Sequence, residues 1–198
     1  MDLAVLCDFD GTIAEIDTAV IVFNRFIDGN WRIFNKMLDR GEITLEQCMR
    51  DQFSMIKAPK SVILSELDLD VAFRPGFYEL FNYCRDFQIP FEIVSAGLDF
   101  VIKHLLEVRG LNEITVHAAR TSFTENGLEM DPLELHDRNS IDFKEDLVNY
   151  IKDQGYSVLY IGDGMSDKGA VMSADYVCAV KGSRLAEFCR TEGITHQE

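Results

Sequence analysis

The sequence has few basic residues. It contains 19 lysines and arginines against 34 aspartates and glutamates, which gives a formal net charge of −15 over 198 residues. Long-range repulsion at this charge argues against nucleic acids and anionic membrane surfaces as partners. The same charge repels anionic ligands, so that a phosphate site in this chain requires local cations.

Long apolar runs and regular cysteine spacings are also missing. No segment approaches the roughly 18 consecutive apolar residues of a membrane span, and the Met-Asp start leads into a strand rather than a signal peptide. The five cysteines are odd in number and contain no CxxC pair, which indicates neither a disulfide framework nor a zinc site. The four histidines share no ligand-like spacing. We therefore expect a cytoplasmic protein whose cysteines mostly fill the core.

Helical periodicity dominates the first third of the chain, and strands alternate with helices from Arg74 onward. Alternation of this kind is typical of right-handed crossovers and a parallel sheet. The predicted strands are 3–6, 91–94, 114–118, 157–161 and 176–180, and Glu125-Asn126-Gly127 predicts a hairpin within 122–130. The predicted helices before Arg74 are 18–26, 31–38, 44–56 and 61–67. Those after it are 77–87, 100–109, 142–154, 168–173 and 185–190.

These elements predict an α/β fold with a doubly wound, Rossmann-like parallel sheet. Residues 1–14 and 74–198 are predicted to form its core domain, and residues 15–73 a small all-helical insertion after the first strand. A chain of this length can bury one good core and carry a modest insertion.

Polar side chains follow three of the predicted strands. Asp8 and Asp10 follow the first, Ser95 follows the second, and Asp163 and Asp167 follow the strand 157–161. The carboxyl ends of parallel strands share one edge of the sheet, where ligands bind in open α/β folds. Several carboxylates cannot all ionise side by side without a cation, and an all-oxygen cluster suits Mg²⁺.

Lys144, Ser95 and Asp167 each have an ordinary structural explanation when taken alone. Lys144 lies in the first turn of a predicted helix, where a positive charge opposes the helix dipole. It is therefore either a solvated surface lysine or a residue that serves a site. Ser95 alone is typical of a turn, and Asp167 alone is typical of a helix N-cap.

Four motifs in order, DFDGT, VSxG, a lysine and GDGxSD, resemble those of the haloacid dehalogenase superfamily. The resemblance covers the whole chain, and the helical insertion is similar to the C1-type cap of that family. VSAG, GDGMSD and the cap segment LEQCMR resemble the phosphoserine phosphatase-like branch. This resemblance implies a phosphatase of a small phosphorylated metabolite that uses Mg²⁺.

The resemblance also implies a role for each motif residue. Asp8 would attack phosphorus and become an aspartyl-phosphate, and Asp10 would act as general acid and base. Lys144 would neutralise charge on Asp8 and the phosphate. The phosphate-binding residues would be Ser95, Ala96 and Gly97. The metal-binding residues would be Asp8, Asp10, Asp163 and Asp167, with Asp167 either a direct ligand or a support for the metal site.

Three cap residues bear on the substrate. Asp17 takes the place of the branch's glutamate that meets the substrate's amino group, and Arg50 falls on one of two motif arginines. Gln52 stands where the carboxylate-binding arginine is expected. Glutamine cannot reproduce a charged bidentate fork, so we predict weak activity on phosphoserine unless Arg50 or Arg74 replaces the missing arginine.

Alternatives remain open at this stage. They are phosphoserine phosphatase proper, a methionine-salvage-type phosphatase, a phosphotransferase with the same intermediate, and a receiver-like module that carries phosphate on Asp8. Receivers lack the second acid of DFDGT and the cap, and both are present here. The sequence leaves open whether the chain forms a homodimer.

Overall fold

The computed structural model describes residues 2–67, 71–125 and 127–198. Its strands are β1 Asp2–Cys7, β2 Phe91–Val94, β3 Thr115–His117, β4 Arg120–Thr124, β5 Gly127–Asp131, β6 Tyr156–Gly162 and β7 Tyr176–Ala179. Five of them form one parallel sheet in the order β3-β2-β1-β6-β7. This parallel α/β sheet confirms the predicted fold class.

Helices precede and follow the strands as the periodicity predicts, with bounds that differ by at most two residues. Those between β1 and β2 are α1 Thr18–Phe26, α2 Arg32–Asp39, α3 Leu45–Ser54, α4 Lys60–Glu66 and α5 Phe77–Asp86. Those after β2 are α6 Asp99–Glu107, α7 Phe143–Asp153, α8 Lys168–Ser173 and α9 Arg184–Glu192, with a 3₁₀ turn at Met165–Asp167. None of the described helices is long and apolar enough to cross a bilayer.

Side chains of β1 alternate between the two faces of the sheet. Val5 and Cys7 belong to a buried cluster that includes residues of α5 and α6. Leu6 belongs to a second cluster, with residues of α7, α8 and α9. Because neighbouring strand residues point to opposite faces, a strand apolar on both faces requires helices on both sides. The central strand is therefore held on both sides, and its carboxyl end has a well-defined position.

Helices α1–α4 occupy the predicted cap segment, and the chain pairs with itself at both ends of that segment. Glu15 N donates to Ala72 O over 3.0 Å, and Arg74 N donates to Ile13 O over 2.7 Å. These bonds bring the predicted domain boundaries, 14/15 and 73/74, next to one another. The division into core and cap stays a prediction, since α1–α4 share a buried apolar cluster with α5 and α6.

The hairpin β4–β5 forms a separate two-stranded sheet that packs on cap helix α3. Leu128 N donates to Ile56 O over 3.0 Å, and the Arg50 guanidinium approaches Met130 O at 3.4 Å. The hairpin was predicted, but its contact with the cap was not, and Asn126 of its predicted turn lies outside the described residues. The hairpin thus packs against one side of the all-helical segment 15–73.

The cysteines mostly fill the core, as predicted. Cys7, Cys48, Cys84 and Cys189 are buried, and Cys178 is half-buried. Burial raises the pKa of the Cys48 thiol to about 11, which keeps it in its unreactive protonated form at neutral pH.

Candidate active site

The carboxyl edge of the sheet opens into a cavity of about 320 Å³. Asp8 directly follows β1, Ser95 follows β2 and Asp163 follows β6, and all three line this cavity. Asp10, Ala96 and Gly97 line it as well. The structure therefore brings together the predicted polar groups of three strands, with helices α1–α3 covering them from above.

Asp8 is held from both sides of its carboxylate. Oδ1 accepts a hydrogen bond from Phe9 N at 2.7 Å, and Oδ2 lies 3.1 Å from the Lys144 ammonium. Burial, followed by the negative charge of Asp167, raises the pKa of Asp8, and Lys144 opposes this rise. The residue is only 5% exposed, yet it faces the cavity. Asp8 is thus a fixed carboxylate at the bottom of a ligand-sized space.

Lys144 is fully buried between two carboxylates. Its Nζ lies 2.6 Å from Asp167 Oδ1 and 3.1 Å from Asp8 Oδ2. Burial alone would lower the pKa of Lys144, but Asp167 and Asp8 outweigh it and raise this pKa above its ordinary value. The lysine is therefore protonated at neutral pH. The alternative of a solvated surface lysine is wrong.

Asp167 has hydrogen-bond donors on both carboxylate oxygens. Oδ1 accepts from Lys144 Nζ and from the Tyr160 hydroxyl, at 2.6 and 2.7 Å. Oδ2 accepts from the backbone N–H groups of Asp163 and Gly164, at 3.1 and 3.0 Å. A Cβ at Gly162 would stand 2.5 Å from Oδ2, so this turn requires glycine. These bonds favour a role for Asp167 in positioning Lys144 and the Asp163 turn.

Asp10 has one satisfied and one unsatisfied carboxylate oxygen. Oδ1 accepts from Thr18 N at 2.7 Å and from the Thr18 hydroxyl at 2.5 Å. Oδ2 is buried and has no hydrogen-bond partner among the described residues. Burial, followed by the charge of Asp17, raises the pKa of Asp10 to about 7 against the opposing Thr18 bonds. A carboxyl group that exchanges its proton near neutral pH suits general acid–base chemistry.

Gly97 provides the space that Asp10 occupies. A methyl group at this position would overlap Asp10 Oδ2 and stand 3.2 Å from Ser95 Oγ. We therefore expect Gly97→Ala to displace the Asp10 carboxyl and lower kcat by about 100-fold, a loss that a 1 Å misplacement of a catalytic group can cause.

Gly164→Ala is the matched control for that substitution. Its added methyl would meet no atom of the described residues closer than 3.6 Å, although Gly164 lines the same cavity. Steady-state kinetics of the two variants, with thermal melting to verify folding, test the prediction. Equal losses of kcat in both would contradict a specific role for the space at Gly97.

Carboxylate oxygens of Asp8, Asp163 and Asp167 lie within 4.8 Å of one another. Burial and then Asp167 raise the pKa of Asp163 to about 6, which marks crowded negative charge. Such a set of hard oxygen donors fits Mg²⁺. Among the described residues, each Asp167 oxygen already accepts two hydrogen bonds, whereas each Asp8 oxygen has one donor. Asp8 and Asp163 are therefore the carboxylates best placed to hold a metal ion.

Apolar side chains of the predicted cap segment form the opposite wall of the cavity. They are Ala19, Val20, Phe23, Trp31, Leu38, Leu45 and Met49. Gln52 also lines the cavity, and its amide donates to Asn35 Oδ1 over 2.8 Å. Asp17 lies at the solvent-accessible mouth, where it caps α1 through Val20 N at 2.8 Å. Desolvation by the surrounding protein raises the pKa of the Asp17 carboxyl, although the residue is open to solvent at the mouth.

Two arginines weighed as substrate ligands lie elsewhere. Arg50 pairs with Glu46 at 2.6 Å on the outer side of α3, and it does not line the cavity. Arg74 donates to Thr12 O and Gly11 O, at 2.8 and 2.7 Å. The structure corrects the placement of Arg50 in the substrate site, because α3 turns Arg50 toward the hairpin and Gln52 toward the cavity.

Three contacts at the site were missed by sequence reasoning. Tyr160 holds Asp167, Thr18 holds Asp10, and Arg184 of α9 pairs with Asp39 of α2 at 3.1 Å across the mouth. Tyr160 lies inside the apolar strand 157–161, and a buried tyrosine hydroxyl usually has a hydrogen-bond partner. The sequence could therefore have indicated a contact for Tyr160. The ends of α2 and α9 carry no comparable signal.

Comparisons with known proteins agree with this geometry. A family model described as haloacid dehalogenase-like hydrolase matches residues 5–171. The chain belongs to this family. Among structures, it is similar to a substrate-bound phosphoserine phosphatase, with 18% identity and a TM-score of 0.68 over 94% of this chain and 89% of that one. A family hydrolase from Salmonella enterica serovar Typhi has a TM-score of 0.75 and 18% identity, over 99% of this chain and 66% of that one.

The curated relatives have a higher sequence identity to this chain than these two structures have. The 2-hydroxy-3-keto-5-methylthiopentenyl-1-phosphate phosphatase of Geobacillus kaustophilus is 28% identical, over 98% of this chain and 89% of its own. The enzyme of the same name from Brevibacillus brevis is 26% identical, over 89% of this chain and 82% of its own. The family and the phosphoserine phosphatase-like fold predicted from the motifs are confirmed, and the comparisons support the predicted class of phosphoric monoester hydrolase.

Proposed function

We propose that this family member is a Mg²⁺-dependent phosphatase of a small phosphomonoester with an uncharged tail, acting through an aspartyl-phosphate. The observation that carries this proposal is the pairing of two dissimilar carboxyl groups at the cavity. Asp8 is held against the Lys144 ammonium, whereas Asp10 presents a buried, unpartnered Oδ2 with a pKa of about 7. Asp8 is therefore placed to act as the nucleophile, and Asp10 to donate and accept the proton.

The reaction proceeds in two half-reactions. A carboxylate oxygen of Asp8 bonds to phosphorus while the ester P–O bond breaks, and Asp10 gives its proton to the departing alkoxide oxygen. Asp10 then takes a proton from a water molecule, whose oxygen bonds to phosphorus as the bond to Asp8 breaks. Inorganic phosphate leaves, and both carboxyl groups return to their starting forms.

Cations make this attack electrostatically feasible in an acidic chain. Lys144 neutralises part of the charge on Asp8 and on the incoming phosphate. Asp8, Asp163 and the backbone carbonyl of Asp10 would hold Mg²⁺, with Asp167 behind them. The ion supplies positive charge for the phosphate oxygens when bound. The Ser95-Ala96-Gly97 turn lines the cavity on the β2 side, where it would face the phosphate.

The cavity wall supports the choice of an uncharged tail. Phe23, Trp31, Leu45 and Met49 line the side that faces the sheet edge. Among the described lining residues the only lysine or arginine is Arg184, and it is paired with Asp39. A substrate carboxylate would therefore enter this wall without a free cationic partner. Phosphates of the class named for the curated relatives, with a keto group and a thioether tail, suit this wall.

We expect kcat/KM in Mg²⁺ for 2-hydroxy-3-keto-5-methylthiopentenyl-1-phosphate to exceed that for phosphoserine by at least about 100-fold. The factor follows from the roughly 3 kcal/mol cost of a buried carboxylate without a partner. Phosphate release with purified protein measures it, and EDTA-treated enzyme provides the metal-free reference, which we expect to be inactive.

Gln52→Arg is the informative variant for this experiment, with Gln52→Met as its uncharged control. The arginine is expected to improve phosphoserine turnover, whereas the methionine is not. A preference of the wild-type enzyme for phosphoserine, left unimproved by Gln52→Arg, would contradict the proposed substrate class. Absence of phosphate release from every ester would contradict the proposed activity as a whole.

A further inference from the structure

A second cavity, of about 220 Å³, lies next to the cap wall of the substrate cavity. Helix α3, strand β5 and the segment that leads into α7 enclose it. Apolar side chains predominate in its lining, among them Met130, Leu133, Leu135 and Phe143. None of the groups assigned to the chemistry above lines this space.

Met49 lines both cavities. Its position on α3 explains this, because residues three and four apart share a helix face. Leu45, Met49 and Gln52 face the substrate cavity, whereas Glu46 and Met49 face the second one. The Met49 side chain is only 3% exposed, so it is packed at the boundary between the two spaces.

We propose that Met49 is a specificity-determining residue that ends the substrate cavity and thereby limits the length of the substrate's apolar tail. Removal of its side chain would join the two cavities and admit longer tails. This inference rests on the proposed phosphatase function, since it concerns the tail of the same substrate.

Size and chemistry both support this role. The substrate cavity, at about 320 Å³, is at the small end of the roughly 300–1,000 Å³ typical of ligand pockets. The phosphate is bound at the sheet edge, so the tail extends toward the cap wall and meets α3. The space beyond Met49 is lined mainly by apolar side chains, and each methylene buried there would raise kcat/KM by up to about fourfold. Methionine is unbranched and flexible, which makes it an adaptable wall.

A series of n-alkyl phosphates from ethyl to octyl tests the proposal with four proteins. They are the wild type, Met49→Ala, Met130→Ala and the double variant. Met130 lines the second cavity but not the first, so it is a matched large-to-small control. The measured quantity is kcat/KM for each ester, expressed relative to ethyl phosphate, in Mg²⁺.

In the wild type we expect this ratio to rise with chain length and then to stop rising where the tail meets Met49. In Met49→Ala the octyl-to-ethyl ratio should increase at least about tenfold, the contribution of two newly buried methylenes. Met130→Ala alone should leave the ratio unchanged, because its cavity is closed to substrate. Added to Met49→Ala, it should raise the ratio further.

A chain-length profile of Met49→Ala that matches the wild type would overturn the proposal. A Met130→Ala variant that changes the chain-length profile by itself would also overturn it. The same holds if the double variant has the same profile as Met49→Ala. Thermal melting checks folding, and Met49→Val replaces Met49→Ala if the latter does not fold. Met49→Leu, which nearly conserves volume, should keep the wild-type profile. A wild-type enzyme that hydrolyses no alkyl phosphate would refute the proposed function instead.

Discussion

Asp8→Asn is expected to lower kcat by about 10⁴-fold or more, the usual loss when a catalytic nucleophile is removed. An amide oxygen carries no charge with which to attack phosphorus, and the Lys144 ammonium would face a neutral group. Acid quenching during turnover of a phosphorus-labelled ester should trap label on the wild-type protein and none on Asp8→Asn. Asp10→Asn is the comparator, because with an activated aryl ester it should still acquire label.

The fold should tolerate Asp8→Asn. The buried cluster of Asp8, Asp167 and Lys144 holds two carboxylates and one ammonium, and the substitution leaves a balanced pair. The pKa of Asp8 in the folded protein is raised above its unfolded value, so its ionisation costs stability as pH rises from about 4 toward the raised pKa. In EDTA, the melting temperature of Asp8→Asn relative to that of the wild type should therefore increase with pH.

Two results would refute the role of Asp8. One is turnover by Asp8→Asn at more than about one hundredth of the wild-type rate, since other groups supply only a part of such catalysis. The other is acid-stable label on the variant protein. Either would mean that phosphate is transferred to a group other than Asp8.

Lys144→Met should both inactivate and destabilise the protein. It leaves Asp8 and Asp167 buried side by side without their shared cation. Removing one partner of a buried ion pair costs about 3–5 kcal/mol. For a chain of this size, such a loss lowers the melting temperature by roughly 10 °C. The measurement is thermal melting in EDTA, accompanied by assays of phosphate release.

Two further variants make the Lys144 experiment specific. Lys103→Met removes a lysine that pairs with Asp99 at 2.9 Å but is 57% exposed, and it should cost at most about 1 kcal/mol. Adding Asp167→Asn to Lys144→Met removes one uncompensated charge and should recover part of the lost stability. A melting temperature of Lys144→Met close to that of the wild type would contradict this account, as would a double variant less stable than the single one.

The sequence by itself determined the class of fold and the chemical groups at the sheet edge. Apolar runs followed by Asp8, Ser95 and Asp163 required only the rule that parallel strands end at one edge. Cap helices α1–α4 followed from periodicity and turn residues. Each strand, helix and turn was predictable because its signal lies in residues close together in the chain. The meeting of the three strand ends then followed from the parallel arrangement. The alternation of Val5 and Leu6 between two faces of the sheet is of the same kind.

Only the tertiary structure decided how those groups are supported and what the cavity admits. Asp167 is held by Lys144, 23 residues away in the chain, and Arg50 and Gln52, two residues apart on α3, face the hairpin and the cavity respectively. Met49 separates two cavities because β5, about 80 residues later, packs on its helix. Such contacts arise from the packing of elements distant in sequence, which local periodicity and propensity do not encode. The predicted reaction class therefore follows from the motifs, whereas the dimensions and charge of the cavity follow from the packing of α1–α3 over the sheet edge.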